Sequence, residues 1–258
     1  MTLDITVTKD AFHRGAFHLI QPAKGAHRAG IDAMLLAACV PDEGAIKVAD
    51  FGAGAGAVGF AIASRCKQAK VTLIERNDRM LDCAQKSLAL KENAHLADRI
   101  TLHADDITTM KPGTGHDQLP ANHFDWVVMN PPFNEPGDRE SPHADRAEAH
   151  VADDELFEVW VKKAATILHA KGKLAIIARP SSLKPILDAT DRRFGALRVT
   201  PIHPRANLDA IRILVTGQKG SRERLAMAKG LVLQERADEA GFTQEVEALV
   251  NGVIALNG

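Results

Sequence analysis

Two short stretches carry residue types that could do chemistry. The first runs Asp50-Phe51-Gly52-Ala53-Gly54-Ala55-Gly56, with Gly59 three residues further on. Glycines let a backbone turn tightly and come close to a ligand, and the N-terminus of a following helix offers free N–H groups. Asp50 stands just before the glycines, where a carboxylate is awkward beside a pyrophosphate and suits a cationic group. Glu75 lies 21 residues after Gly54, a spacing that suits an acid gripping ribose hydroxyls. Gly54, Gly56 and Gly59 also spell G-x-G-x-x-G, so the dinucleotide reading stays open on these residues alone.

The second stretch is Asn130-Pro131-Pro132-Phe133, and it fits chemistry at a planar amino nitrogen. Such a nitrogen is a poor nucleophile because its lone pair is delocalised. Acceptors out of its plane, the Asn130 side-chain oxygen and the Pro131 carbonyl, favour a tetrahedral nitrogen and localise the pair. The two prolines fix φ and remove donors, which leaves a rigid turn with free carbonyls. Phe133 can stack on a flat substrate and set in-line attack. No metal and no covalent nucleophile is called for, and the proton can leave after the transfer.

These residues need a sheet to hold them. Strand-like and helix-like segments alternate, which predicts a doubly wound α/β fold with helices on both faces. Apolar strands are expected at 45–51, 71–75, 100–103 and 124–129, each ending in or followed by one of the candidate groups: the glycine loop, Glu75, Asp105-Asp106 and Asn130. In such sheets ligands bind at the carboxyl ends of the strands, near the point where strand order reverses. Further strands are expected at 173–178, 196–202 and 210–216. Helices are expected at 31–39, from the glycine loop to about 66, at 78–93 with Asp78 as cap, and at 153–169, 183–192 and 243–255. Residues 1–25 read as β-type pieces with Arg14-Gly15 at a hairpin tip. The polar segment 130–152 reads as a long loop. The resulting division is an N-terminal extension packed on the cofactor site (1–44), a catalytic domain (45–220) and a C-terminal elaboration of that domain (221–258).

Composition excludes several classes. Of 258 residues, 45% are hydrophobic and 25% charged, the balance of a globular chain rather than a disordered or fibrous one. No apolar run reaches the length of a membrane span and no secretory signal opens the chain, so a cytoplasmic protein is expected. Cys39, Cys66 and Cys83 fit neither a zinc pattern nor a disulfide framework, and read as buried free thiols. His143 and His150, with Asp145 and Glu148 between them, match no metal-ligand spacing. The net charge of −1 conceals an asymmetry. Residues 162–224 hold 14 Lys+Arg against 4 Asp+Glu, whereas 135–158 hold 9 Asp+Glu against 2 Arg. The basic stretch could face a polyanion, or be scattered over a solvated surface.

D-x-G-x-G-x-G is the pattern of class I S-adenosylmethionine-dependent methyltransferases, and Asp50–Gly56 resembles it at every fixed position. The resemblance implies a seven-stranded Rossmann-like sheet and S-adenosylmethionine as cofactor. It implies cofactor contacts at Asp50, Gly52, Gly54, Gly56 and Glu75, and an acid after the third strand that accepts from the cofactor's adenine amino group. Asp106 is favoured over Asp105 because Ile107 follows it. Further motifs join these: the run from Asp10 through Arg14-Gly15, Gln21-Pro22, Arg28, Gly30 and Asp32, and His203-Pro204-Arg205. Together with Asn130–Phe133 they make the chain similar to the bacterial tRNA (adenine-N6)-methyltransferase family of the valine-tRNA type. That family often has Tyr where this chain has Phe133.

This resemblance implies that Arg28, Gly30 and Asp32 belong to a segment closing over the cofactor, although Asp32 reads equally well as a helix N-cap. It also implies that Phe133, His203 and Arg205 meet the RNA, with the basic 162–224 region on its phosphates. The same amino chemistry serves N2 of guanine in ribosomal RNA or N5 of a protein glutamine. A nicotinamide-dependent dehydrogenase rests only on the three glycines and Glu75, and a non-catalytic nucleic-acid-binding module leaves Asn130–Phe133 without a purpose.

Overall fold

In the computed structural model, residues 6–23, 29–113, 118–131, 145–235 and 241–256 are described, with the side chains of 145–154 left aside. The chain opens with a hairpin, β1 (Val7–Phe12) and β2 (Phe17–Pro22), in the register Phe12↔Phe17 to Val7↔Pro22. Its tip is the expected Arg14-Gly15 turn, with Arg14 at φ 55° and Gly15 at φ 88°. Phe17 and Leu19 are fully buried, each worth roughly 1.5–3 kcal/mol. Side chains replace a strand neighbour along β2: the Ile20 N–H donates to Ser87 Oγ at 2.8 Å and the His18 N–H to Asn93 Oδ1 at 2.9 Å. Both Ser87 and Asn93 are completely buried, so these polar groups are satisfied as burial demands.

After α1 (Ile31–Ala38) come β3 (Lys47–Phe51), α2 (Ala57–Arg65), β4 (Lys70–Glu75), α3 (Asp78–Leu88), β5 (Ile100–Ala104) and β6 (Phe124–Met129). They are followed by α4 (Asp145–Ile167), β7 (Leu168–Ala178), α5 (Leu183–Thr190), β8 (Phe194–His203) and β9 (Arg212–Lys219). Two-residue strands β10 (Ala226–Met227) and β11 (Leu231–Val232) precede α6 (Gln244–Val250). The sheet order is β10-β8-β9-β7-β6-β3-β4-β5, with β11 also on β8. Seven long strands give the expected core; the short pair β10 and β11 raises the count to nine. Only β9 runs antiparallel to its neighbours β7 and β8. Strand order reverses between β3 and β6, the crevice where such sheets bind ligands.

Several boundaries differ from the sequence reading, each for a local reason. Helix α3 is capped by Asn77, not Asp78: the Asn77 side chain accepts from the N–H groups of Arg79 and Met80. Helix α4 begins at Asp145 inside the segment expected to be loop, because Arg146, Glu148 and the alanines at 147, 149 and 152 are good helix formers. Strand β7 starts five residues early and crosses an irregularity with Lys171 at φ 66°. Helix α6 stops at Val250, and Gly252 at φ 68° turns the chain away. The three cysteines are free and buried, as expected. Among the described residues no helix is long and apolar enough to cross a membrane.

Candidate active site

A cavity of about 330 Å³ opens at the carboxyl ends of β3, β4, β5 and β6. Asp50, Gly52, Gly54, Glu75, Asp105, Asp106 and Asn130 all line it, so residues spread over 81 positions meet at one place. The parallel pairings β3·β4, β4·β5 and β3·β6 bring these strand ends side by side.

Asp50 is 1% exposed, and its Oδ2 accepts from the Gly59 N–H at 3.0 Å. Burial pushes its carboxyl up to about 8; the Gly59 bond opposes this and nearby Glu75 adds to it. An ammonium group placed beside Asp50 would reverse that cost by favouring the carboxylate. Gly59 is needed here by close approach, since a Cβ on it would stand 2.2 Å from Leu73 Cδ2.

The loop glycines have separate jobs. Gly54, at φ 57°, has open space where a side chain would be, and its N–H donates to Glu75 Oε2 at 2.8 Å. Gly56 does not line the cavity; it caps α2 and packs on Leu73 and Phe60. Glu75 Oε1 accepts from the Arg76 and Asn77 N–H groups at 2.9 and 2.8 Å. A carboxylate offers about four lone-pair sites, so Oε2 keeps acceptor capacity toward the cavity.

The two acids after β5 differ in how far they are committed. Asp106 Oδ1 accepts from the Thr108 N–H and hydroxyl at 2.8 and 2.7 Å, and its Oδ2 from Arg76 Nη1 at 3.0 Å. Asp105 Oδ1 accepts from the Asp106 N–H at 2.8 Å, while its Oδ2 has His103 Nε2 at 3.5 Å. Asp105 therefore holds more free acceptor capacity than the sequence-favoured Asp106.

Asn130 follows β6 directly. Its Oδ1 is buried without a hydrogen-bond partner among the described residues. A satisfied interior leaves few such groups, and they mark places where a ligand is expected to bond. Pro131 is buried beside it. Pro132, Phe133 and Arg28 lie outside the described residues.

Other expected site residues sit elsewhere. Asp32 occupies the first turn of α1, whose N-cap is Gly30, and accepts from Arg212 Nε at 2.7 Å; it does not line the cavity. His203 Nδ1 lies 2.8 Å from the Leu208 carbonyl and its ring packs on Gly230. Arg205, in the turn after β8, has a buried Nε with no partner among the described residues. The basic stretch is partly neutralised inside the protein: Lys173 meets Glu43, Arg193 meets Glu158, Lys184 meets Asp188 and Arg212 meets Asp32.

Among the cavity residues that the sequence reading of the site did not include, two stand out. Gln21 is 2% exposed; its Nε2 donates to Asp10 Oδ2 at 2.9 Å and its Oε1 accepts from the Ala29 N–H at 2.8 Å. It ties the hairpin to the segment before α1. The signal was a polar residue in the inward series Phe17, Leu19, Gln21. Trp160 on α4 lines the cavity at 6% exposure, with Nε1 unpartnered among the described residues. Its neighbours Phe157, Val161 and Ala164 make it read as an ordinary core stripe.

Comparison with known proteins follows the same lines. Residues 26–201 match the family described as Methyltransferase small domain. The tRNA1(Val) (adenine(37)-N6)-methyltransferase of Pedobacter heparinus is 27% identical over 208 residues, 80% of this chain and 83% of its own. That of Porphyromonas gingivalis strain W83 is 28% identical over 196 residues, 73% of each chain. The crystal structure of a predicted O-methyltransferase from Agrobacterium tumefaciens superposes with a TM-score of 0.75 at 40% identity, covering 87% of this chain and 98% of that one.

Proposed function

The chain belongs to the methyltransferase small domain family and is an S-adenosylmethionine-dependent methyltransferase; from that premise we propose that it methylates N6 of an adenine in tRNA. The observation that carries the amino acceptor is the buried Oδ1 of Asn130, a cavity residue, which has no partner among the described residues. The curated relatives named for adenine-N6 methylation of a valine tRNA support the substrate.

The residues present fit the cofactor. The buried Asp50 carboxyl would take the α-ammonium, Glu75 Oε2 a ribose hydroxyl, and the Asp105-Asp106 pair the adenine amino group, with Asp105 the less committed of the two. Gly54 leaves the space a side chain would fill. When bound, S-adenosylmethionine supplies an electrophilic methyl group on a sulfonium centre.

Asn130 Oδ1 and the Pro131 carbonyl accept from the two N–H groups of the substrate amine. These bonds strengthen as the nitrogen becomes tetrahedral, so they act on the transition state more than on the ground state. Phe133 stacks on the base and fixes its plane. An amide oxygen is suited to an amino donor and is too weak a base to deprotonate a hydroxyl, which favours nitrogen over the oxygen acceptor in the Agrobacterium protein's name. Asp32 and Arg28 serve the segment that closes over the cavity, Asp32 through its clasp on Arg212, and His203 and Arg205 face the RNA. Residues 1–44 act as a cap on the 45–220 domain, supported by Gln21, Ala29 and Ala33 in the cavity wall, and 221–258 elaborates the same unit. A tRNA substrate places the enzyme in the cytoplasm.

The test is transfer of labelled methyl from the cofactor into total RNA and total protein of a deletion strain, followed by nucleoside analysis. N6-methyladenosine in the tRNA fraction is expected. Label in N2-methylguanosine or in protein glutamine would overturn the substrate and keep the amino chemistry.

A further inference from the structure

We propose that Trp160 is a second reader of the acceptor base, donating its indole N–H to the ring nitrogen that flanks the methylated amino group. The inference rests on the adenine reading above and deepens it.

Trp160 is placed at the reacting end by the sheet itself. Phe51 and Met129 are register partners in β3 and β6, so the residues that follow them, Gly52 and Asn130, emerge side by side at the point where strand order reverses. Trp160 closes that point from α4. Its ring stands edge-on to Phe51, with centroids 6.2 Å apart at 86°. A Cβ on Gly52 would lie 2.7 Å from Trp160 Cη2, so the glycine is there in part to admit the indole.

The chemistry of the pair follows. Asn130 contributes a buried acceptor and Trp160 a buried donor, neither with a partner among the described residues, and both residues line one cavity. A buried tryptophan N–H ordinarily finds an acceptor. One acceptor and one donor together match a ligand edge that carries a donor beside an acceptor. Adenine presents that edge twice, as its amino group beside N1 and beside N7. Guanine N2 has such a neighbour only on its N3 side, because N1 carries a hydrogen. A polar group built to bond a substrate atom rejects the analogue that lacks it more sharply than an apolar wall does.

The experiment uses the full-length enzyme, tRNA, and the same tRNA carrying 1-deazaadenine or 7-deazaadenine at the methylated position. Trp160→Phe keeps the ring and removes the N–H. It is expected to lower kcat/KM for the tRNA about tenfold, with unchanged cofactor affinity by calorimetry and an unchanged melting temperature. On one of the two analogues the wild type should be slowed by a similar factor and the variant should lose nothing more. That analogue identifies the nitrogen. The wild-type arm stands even if the variant folds poorly, since equal rates on adenine and both analogues sink the proposal. A variant that matches wild type on tRNA, or loses cofactor affinity with normal tRNA kinetics, also overturns it. A wild type that methylates no adenine overturns the parent reading and this one with it.

Discussion

The two rims of the sheet use similar residues to opposite ends. At the amino-end rim, Asp125 at the start of β6 accepts from the Lys47 N–H at 2.7 Å and lies 2.7 Å from His169 Nε2, whose Nδ1 lies 2.6 Å from the Ala170 carbonyl. Each of these groups is answered by the protein. At the carboxyl-end rim, among the described residues, Asp50 is buried with a single backbone donor, and Asn130 Oδ1 and Trp160 Nε1 have no partner. Chemistry belongs to the rim whose polar atoms are left open. A rim that satisfies itself contributes stability, while one that leaves buried polar atoms unanswered is poised for a ligand to complete.

The sharpest way to break this contrast is at Asn130. Asn130→Ala should cut kcat by about 10²-fold or more, the scale of one preorganised polar group lost from a transition state. Cofactor affinity, read by calorimetry, should barely change. A near-normal kcat would strip the unanswered oxygen of its meaning.

Asp50 comes next. Asp50→Ala should weaken cofactor binding by at least ~1.5 kcal/mol, the loss of a charge-assisted hydrogen bond. The pH dependence carries more information. Free Asp50 keeps its proton up to about 8, and an ammonium ligand must displace it. Wild-type affinity should therefore rise from pH 6 toward pH 8, and Asp50→Asn should flatten the profile. Stability of the free enzyme runs the other way. A raised folded-state value means that stability present at low pH is lost as pH rises through about 8. Denaturant melts of wild type and Asp50→Asn should converge below about pH 4, separate in the variant's favour as pH rises from there to about 8, and keep a constant gap above it.

How much of this was legible in the sequence depends on the kind of signal. Asp50, Gly54, Glu75 and Asn130 were legible because each sits at a strand end, where spacing and residue type converge on one rim. The α/β class and the hairpin tip were legible from periodicity and turn residues. Trp160 was not, because a tryptophan in an apolar helical stripe looks the same whether or not its N–H has a partner. Nor was the commitment of Asp106 to Thr108 and Arg76, which is a matter of three side chains converging. The charge excess of 162–224 misled in part. Lys173, Lys184, Arg193 and Arg212 answer acids of the protein itself, and counting cannot see pairing.

Arg205 tests what remains of that excess. Arg205→Glu should weaken tRNA binding several-fold and leave cofactor affinity alone. If Arg205 neutralises one phosphate, the variant should also lower the steepness of the salt dependence by about 0.7 per single-strand contact. Filter binding between low and moderate salt reads both. An unchanged slope would move the RNA to another face.

The smallest expected effect belongs to the satisfied rim. The Asp125 bond raises the His169 imidazole above its usual value, with the Ala170 carbonyl adding to it. A raised folded-state value means the imidazolium contributes stability fully below pH 6.5, and loses it as pH rises through the elevated value. The pair is partly exposed, with His169 at 40% and Asp125 at 34%, so solvent and salt hold the contribution to about 1 kcal/mol or less. His169→Gln keeps a hydrogen-bonding group and cannot be protonated. Urea melts should show the variant less stable than wild type at pH 6, with the gap narrowing at pH 8.5 and in high salt. Methyl transfer should be the same for both proteins at every pH. A change in kcat would mean that the amino-end rim reaches the reaction, and the contrast between the rims would be lost.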